Sequence, residues 1–287
     1  MSRYTAETLD LSRFPAPLAI RGVDYEAILA DRMTRLVALF DDRDIDYDVA
    51  ELETDPGKIL QETDAYREML VKSEINDAIK AVMKAFAVGS DLDHLALPLM
   101  RLEGELDEAF RRRVLLEPEA AGIGTLGGYI FHALAAHEDV ANVDVWSPGD
   151  GVSQIAVQAK GADGVASAEL VEFVRSYLHK DDIKPFTDTV YVGSVTQFDY
   201  IIDVEVFVLP GPDPLSVKAL VEESLAKMAA SRFTPARDIP PSAIHAAATV
   251  GPVDRVVINQ PAGHIARLEG ELGRCLGITV KVSTHDG

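Results

Sequence analysis

Two aspartates and a histidine stand within four residues, at Asp91, Asp93 and His94, in the stretch GSDLDHL. Such a group could bind a metal ion or form part of a catalytic centre. It does not match a calcium loop, because a third oxygen ligand and a glycine do not follow at the required positions. Gly89 suits the left-handed residue that ends a helix, and Ser90 or Asp91 can cap the next helix. We therefore predict a helix that stops here and another that starts, without a bound metal.

A glycine-rich loop, Gly122-Ile123-Gly124-Thr125-Leu126-Gly127, has the letters of a dinucleotide-binding motif, and Asp144 follows at about the expected distance. That motif requires a buried strand before the first glycine, since the strand and the next helix together hold the pyrophosphate. Here the preceding segment, Arg111 to Ala121, is charged and contains Pro118. We expect a loop that leads into a helix over 128–136. A cytosolic nucleotide-binding enzyme that uses this loop is the alternative function.

The remaining chemistry-bearing residues are dispersed. The seven histidines do not follow the spacing of zinc ligands, and His132 and His137 are five residues apart, so they do not share a helix face. Cys275 is the single cysteine and has no histidine beside it. It therefore supports neither an internal disulfide nor a thiolate zinc cage. The sequence predicts no catalytic residue, no metal, no cofactor and no enzymatic activity.

The charge balance restricts the partners that the chain can bind. Its 27 basic and 47 acidic side chains give a formal net charge of −20, which argues against nucleic-acid binding. The densest basic run, Arg111-Arg112-Arg113, follows Asp107 and Glu108 at favourable i,i+4 spacing, so we predict a solvated helix face with ion pairs. No run approaches the ~20 apolar residues of a membrane span, and the N-terminus does not resemble a signal peptide. Residence in the cytosol is the expectation.

The first part of the chain, up to about residue 138, has helical periodicity. One amphipathic helix opens near Asp24, and a second runs from about Lys58 to Val88 after the turn Pro56-Gly57. The apolar positions of the second helix change side along its length. A helix break or a fully enclosed helix explains this change; alternatively, the two ends pack on different partners, one of them in another chain. One set of positions is Ile59, Tyr66, Met69 and Leu70, and the other is Val71, Ile75, Ala78, Ile79, Val82, Met83 and Phe86.

From Val140 onward the pattern becomes mixed. Alternating apolar residues on both sides of Pro148-Gly149-Asp150-Gly151 predict a β-hairpin. Further strands are predicted at 189–195, 200–209, 253–258 and 278–282, with helices at 169–178 and 215–230 and a short helix near residue 241. The predicted fold class is α+β: a helical N-terminal region, 1–138, is followed by two small mixed α+β modules, 139–197 and 198–287.

Several short motifs occur in an order that resembles the baseplate J family of contractile phage tails and phage-derived bacteriocins. The resemblance covers about residues 11–282 and is densest in LETDPGKILQETDAYREMLVKSEINDAIKAVMKAFAVGSDLDHLA, although His94 replaces the usual asparagine and residues 262–273 diverge. Further matching motifs are Phe14-Pro15-Ala16-Pro17, Asp107-Glu108-Ala109-Phe110-Arg111-Arg112-Arg113, His132-Ala133-Leu134, Lys184-Pro185, Thr187-Asp188-Thr189-Val190, Pro210-Gly211-Pro212-Asp213 and Ser242-Ala243-Ile244.

This resemblance implies a structural role in the virion tail baseplate, assembled in the host cytoplasm. Family members pair as two copies with one copy of a smaller wedge protein, and six such wedges surround the central hub. The N-terminal helices bundle with the partner, the C-terminal modules link neighbouring wedges, and the ring rearranges when the tail contracts. Contacts with hub and sheath components are also expected. We predict a partner interface formed by six residues of the second helix: Tyr66, Leu70, Ile75, Ile79, Val82 and Phe86.

Overall fold

The chain folds into two compact units, the first ending at Arg101 and the second beginning at Leu102. The computed structural model describes residues 17–47, 52–266 and 268–284. The first unit is helical, and the second combines helices with two three-stranded mixed sheets. The predicted α+β class, with helices followed by two small mixed sheets, is confirmed. The division at residues 138 and 197 stays a prediction.

The first unit contains α1 (Tyr25–Asp41), α2 (Pro56–Ala81) and α3 (Gly89–Ala96). The two long helices begin at aspartate N-caps. Asp24 accepts hydrogen bonds from the amides of the first turn of α1, and Asp55 accepts one from the Lys58 amide at 2.8 Å. Pro56 is the first residue of α2. An N–H at this position would have no acceptor within the helix, so its absence in proline removes no helical hydrogen bond. An aspartate N-cap therefore determines where each of the two long helices begins.

The end of α2 differs from the prediction. The helix ends at Ala81 rather than continuing to Val88, and Val82 is its C-cap. The carbonyl of Met83 then accepts hydrogen bonds from the amides of Phe86 and Ala87, at 2.9 and 2.8 Å. This turn repeats the three- and four-residue spacing of a helix, so the apolar periodicity alone does not distinguish the two. Helix α2 is continuous through Leu70 and Val71, where the apolar side changes, and Ala65 is its buried residue, so neither a helix break nor full enclosure explains that change.

The second unit begins with α4 (Asp107–Leu116), a 3-10 turn (Glu117–Glu119) and α5 (Leu126–Ala136). The first sheet contains β1 (Val140–Gly149), β2 (Val152–Ala159) and β3 (Thr189–Ser194), in the order β1-β2-β3. The predicted hairpin is confirmed: β1 and β2 are antiparallel, and Asp150 and Gly151 at its turn both have positive φ. The crossover helix α6 (Ala168–Leu178) connects β2 to the parallel β3, and α5 packs against β1 and α6.

The second sheet is built around β4 (Thr196–Val208), which lies between β5 (Val253–Gln260) and β6 (Glu271–Thr284). Helices α7 (Pro214–Ser231) and α8 (Pro241–Ala248) join β4 to β5. Strand β6 is longer than predicted and pairs in parallel with β4 along its whole length. The predicted inward face of β4 is fully buried and forms the centre of the core, at Ile202, Val204, Val206 and Val208.

The two sheets are joined within the second unit. The Thr196 amide donates to the Gly270 carbonyl, and the Gly270 amide donates to Asp144 on β1, each at 2.9 Å. Gln158 on β2 donates to the Phe233 carbonyl at 3.1 Å. A small hydrophobic cluster lies at the same junction, with Ala156, Val195 and Leu272 at its centre and Trp146 and Phe233 against them. Side-chain hydrogen bonds and apolar contacts therefore connect the two sheets.

The solvated basic face predicted for α4 is wrong. Arg111 and Arg113 are buried, and Arg112 is only partly exposed. Arg113 forms a two-point ion pair with Glu105, from Nε and Nη2 at 2.7 Å each, and both side chains are buried. The i,i+4 spacing identified favourable neighbours along the helix, but Glu105 precedes the helix and bonds across its first turns. One face of α4 is therefore core, and its charge is neutralised from outside the helix.

Candidate partner interface

The first unit leaves much of its apolar surface exposed. Among its described residues, the buried hydrophobic ones are Ile28, Ala65, Ala87, Leu92 and Ala96. By contrast, it carries more than half of the large hydrophobic side chains that are exposed in the described parts of the chain. Helix α2 contributes several of them in succession: Ile59, Leu60, Tyr66, Leu70, Val71 and Ile75. Exposed apolar surface of this kind is characteristic of protein-protein interfaces.

Polar contacts join helix α2 to α1. The guanidinium of Arg32 on α1 donates to Gln61, Asp64 and Glu68, which lie on successive turns of α2, at 3.0, 2.8 and 3.0 Å. Lys72 and Arg32 together hold the pKa of Glu68 below its usual value. Near the other end of α2, the Asn76 side chain exchanges two hydrogen bonds with the backbone of Arg21. The pairing of α1 with α2 thus leaves apolar side chains of α2 free for other contacts.

The six residues predicted for the interface fall into two groups. Tyr66, Leu70 and Ile75 lie on α2 with about half of their surface exposed, at 54%, 42% and 52%. Val82 caps the helix and is 70% exposed. Ile79 is only partly exposed, and Phe86 lies in the turn after the helix and is likewise partly exposed. The structure therefore places four of the six on accessible surface, but it does not put all six on one helix face.

The exposed surface is also wider than the predicted set. Tyr66 and Leu70 are one helical turn apart and share a side with Ile59, whereas Val71 and Ile75 form a second stripe. The exposure of Ile59, Leu60 and Val71 extends both stripes towards the start of the helix. The helical spacing already placed Ile59 and Val71 in these two stripes. Leu60 was not among the predicted positions, although it lies on the same side of the helix as Val71.

The GSDLDHL stretch is structural. Gly89 has a φ of +54°, as predicted, but it begins α3 instead of ending α2. Leu92 and Ala96 are the buried residues of this short helix. Asp93 accepts two hydrogen bonds from the Arg101 guanidinium, at 3.0 and 2.7 Å. In the described part of the chain, no three His, Cys, Asp or Glu side chains are close enough to hold a metal ion.

The glycine-rich loop does not have the geometry of a dinucleotide site. It is preceded by α4 and a 3-10 turn, whereas the nucleotide motif requires a strand there. Thr125 caps α5 by accepting a hydrogen bond from the Gly128 amide at 3.0 Å. Gly124 has a φ of +69°, and a Cβ at this position would clash with Cγ of Pro185. The glycines thus allow the loop to pack against the segment before β3.

The neighbourhood of this loop contains buried polar groups. Tyr129 on α5 is buried and donates to Asp188 at 3.3 Å; burial and the Asp188 charge raise the pKa of Tyr129 to about 12. Nε2 of His132 bonds to the Ala120 carbonyl at 3.1 Å, while its Nδ1 is buried without a partner. Burial lowers the pKa of His132. Both side chains brace α5 against its surroundings.

A helix with exposed apolar side chains, on a unit that buries few of them, is typical of proteins that assemble with other chains. None of the described helices is both long and apolar enough to cross a membrane. Three family models match the chain in succession: the Baseplate J-like N-terminal domain at residues 53–101, the Baseplate J-like central domain at 122–194 and the Baseplate J-like protein C-terminal domain at 200–281.

Baseplate protein J of Escherichia phage P2 is 31% identical to this chain over 298 aligned positions. The alignment covers 97% of this chain and 99% of that relative. The chain therefore belongs to the baseplate J family. It is a structural component of a phage tail baseplate, and the predicted resemblance is confirmed.

Proposed function

We propose that this chain is a wedge protein of the baseplate. Two copies pair with one copy of a smaller wedge protein, and six such wedges surround the central hub. The exposed apolar residues of α2 supply the contact with the partner chains, and this surface is the observation that carries the proposal. Assembly takes place in the host cytoplasm, and the completed wedges contact hub and sheath components.

The second unit links neighbouring wedges and transmits the change that accompanies tail contraction. Its two sheets are tied together by the hydrogen bonds at Gly270 and Gln158 and by the cluster around Leu272. Because these contacts hold the two sheets together, we expect the unit to move as one rigid body without rearranging internally. The change on contraction is then absorbed at the interfaces between chains.

Charge reversal on α2 tests the proposal. Leu70→Asp and Ile75→Asp place carboxylates on surface that is already half exposed, so the folded chain tolerates them. In the wedge these carboxylates would be buried without a partner, and we expect the apparent affinity to fall at least about tenfold. Ser73→Asp is the matched control, because Ser73 is an exposed polar residue of the same helix.

The measurement is co-expression with the neighbouring tail proteins, followed by native mass spectrometry. The wild-type chain and Ser73→Asp should form a complex of two copies with one smaller chain, and the other two variants should remain outside it. If the wild-type chain stays monomeric beside all tail proteins, the proposed wedge is wrong. If Leu70→Asp and Ile75→Asp assemble as the wild-type chain does, the proposed wedge stands and the proposed location of its interface is wrong.

A further inference from the structure

Three consecutive arginines of α4 have different partners. Arg113 is paired with Glu105, and Arg111 contacts Glu108 at 3.2 Å. Arg112 instead donates from Nη1 to the amide oxygen of Asn142. Among the residues that the structure describes, no carboxylate pairs with Arg112, and its Nε is buried without any acceptor. One of three adjacent cations therefore lacks the counter-charge that its neighbours have.

An unpaired guanidinium in such a position is costly. Transferring a charge out of water is repaid only when a counter-ion and hydrogen bonds replace the lost hydration. Burial lowers the pKa of Arg112 to about 10, so the side chain is still charged at neutral pH. Asn142 offers a dipole, which compensates less than a carboxylate does. The isolated chain thus keeps a cation whose environment is incomplete.

The position of Asn142 shows where a counter-ion can arrive. Asn142 lies on β1, which among the described strands pairs only with β2 and is therefore an edge strand of the first sheet. The β1–β2 register is interrupted between Val140 and Asn142. Arg112 itself retains some exposed surface. A chain that approaches this edge can therefore place a side chain beside the guanidinium.

We infer that Arg112 is the receptor for a carboxylate carried by another protein chain of the baseplate. This inference rests on the proposed function, because it requires the chain to assemble with others. A carboxylate matches the planar fork of a guanidinium and completes the missing ion pair. The interaction surface consists of Arg112 and the edge of β1 at Asn142.

Two methionine variants separate this role from a purely structural one. Arg112→Met removes an uncompensated cation and keeps the aliphatic volume, so the melting temperature of the isolated chain should rise by about 2–4 °C. Arg113→Met is the matched control. It leaves the buried carboxylate of Glu105 without its ion-pair partner, so the melting temperature should fall. Arg112→Lys keeps the charge without the fork and should leave the melting temperature near that of the wild type.

Assembly gives the second readout. In the presence of the other tail proteins, Arg112→Met should bind its assembly partner about thirtyfold more weakly than the wild type, and Arg112→Lys should lose less. Sedimentation of the chain alone identifies the source: a self-association lost in Arg112→Met assigns the carboxylate to a second copy. A loss seen only in the mixture assigns it to a different protein.

The inference is overturned if Arg112→Met lowers the melting temperature, since the charge would then already be compensated within the chain. It is also overturned if Arg112→Met assembles with wild-type affinity. In both cases, normal assembly of the wild-type chain would leave the proposed function intact. Failure of the wild-type chain to assemble would instead contradict the proposed function.

Discussion

The buried ion pair between Glu105 and Arg113 should contribute strongly to the stability of the second unit. The guanidinium donates two hydrogen bonds of 2.7 Å to the two carboxylate oxygens. The side chains are 5% and 3% exposed, so water cannot replace a missing partner. Glu105 also accepts a hydrogen bond from the Leu102 amide at 2.9 Å, which ties the start of the unit to the pair.

Arg113→Met should therefore lower the free energy of unfolding by about 3–5 kcal/mol, because it leaves a buried carboxylate unpaired. For a unit of this size the melting temperature should fall by roughly 10 °C or more. Adding Glu105→Gln to the same chain removes the stranded charge and retains an oxygen for the Leu102 amide. The double variant should therefore recover most of the loss.

Trp146 provides a specific assay for this prediction. It is the only tryptophan of the chain and packs at the junction of the two sheets, so its fluorescence in urea reports on unfolding of the second unit. A loss below about 1 kcal/mol for Arg113→Met would contradict this prediction, because it would mean that water or another group compensates Glu105. A double variant as unstable as the single one would refute it as well.

Two further predictions use the same fluorescence readout. Burial lowers the pKa of His132, so below about pH 6.5 this side chain binds more protons in the unfolded chain than in the folded chain. The free energy of unfolding should therefore fall as the pH drops from 7 to 5. His132→Gln should flatten this pH dependence, and an unchanged slope would contradict the burial of Nδ1. Gly124→Ala should cost about 1–3 kcal/mol, since it combines a positive φ with a close approach to Pro185. Gly193→Ala should change the free energy of unfolding little, because its Cβ would meet no atom within 4 Å. Equal losses of stability at both glycines would show that the packing of the loop at Gly124 does not matter.

The sequence predicted the second sheet most successfully. In β4 the alternation of Ile202, Val204 and Val206 with acidic residues predicted one buried face, and these side chains are fully buried. This succeeds because the side-chain period of a strand is two and one face of the sheet packs on α7. The start of β6 was missed, since residues before Ile278 do not continue the same alternation. Its pairing with β4 is a long-range contact that local pattern does not reveal.

The helical parts show where local pattern is insufficient. The periodicity of α2 continued into the turn at Met83, because that turn has the same hydrogen-bond spacing as a helix. The arginines of α4 were predicted to be solvated, since acidic residues stood at i,i+4 positions. Their actual environment depends on Glu105 before the helix and on Asn142, thirty residues further on. Neither contact follows from helical geometry.

Whether the six predicted residues form an interface stays a prediction. Tyr66, Leu70, Ile75 and Val82 were selected as apolar residues without a single consistent buried side, and all four are exposed in the isolated chain. Their exposure is a property of the folded unit, which local periodicity does not reveal. Which chain covers them stays a prediction, because a sequence pattern identifies an unfilled surface without identifying its occupant.

We propose that this chain is built into baseplate wedges through α2. Cryo-electron microscopy of tails purified from the phage or bacteriocin that encodes it tests this most directly. We expect density for two copies of the chain in each wedge, with α2 packed against a neighbouring chain through Leu70 and Ile75. A baseplate in which these side chains face solvent, or purified tails from which the chain is absent, would contradict it.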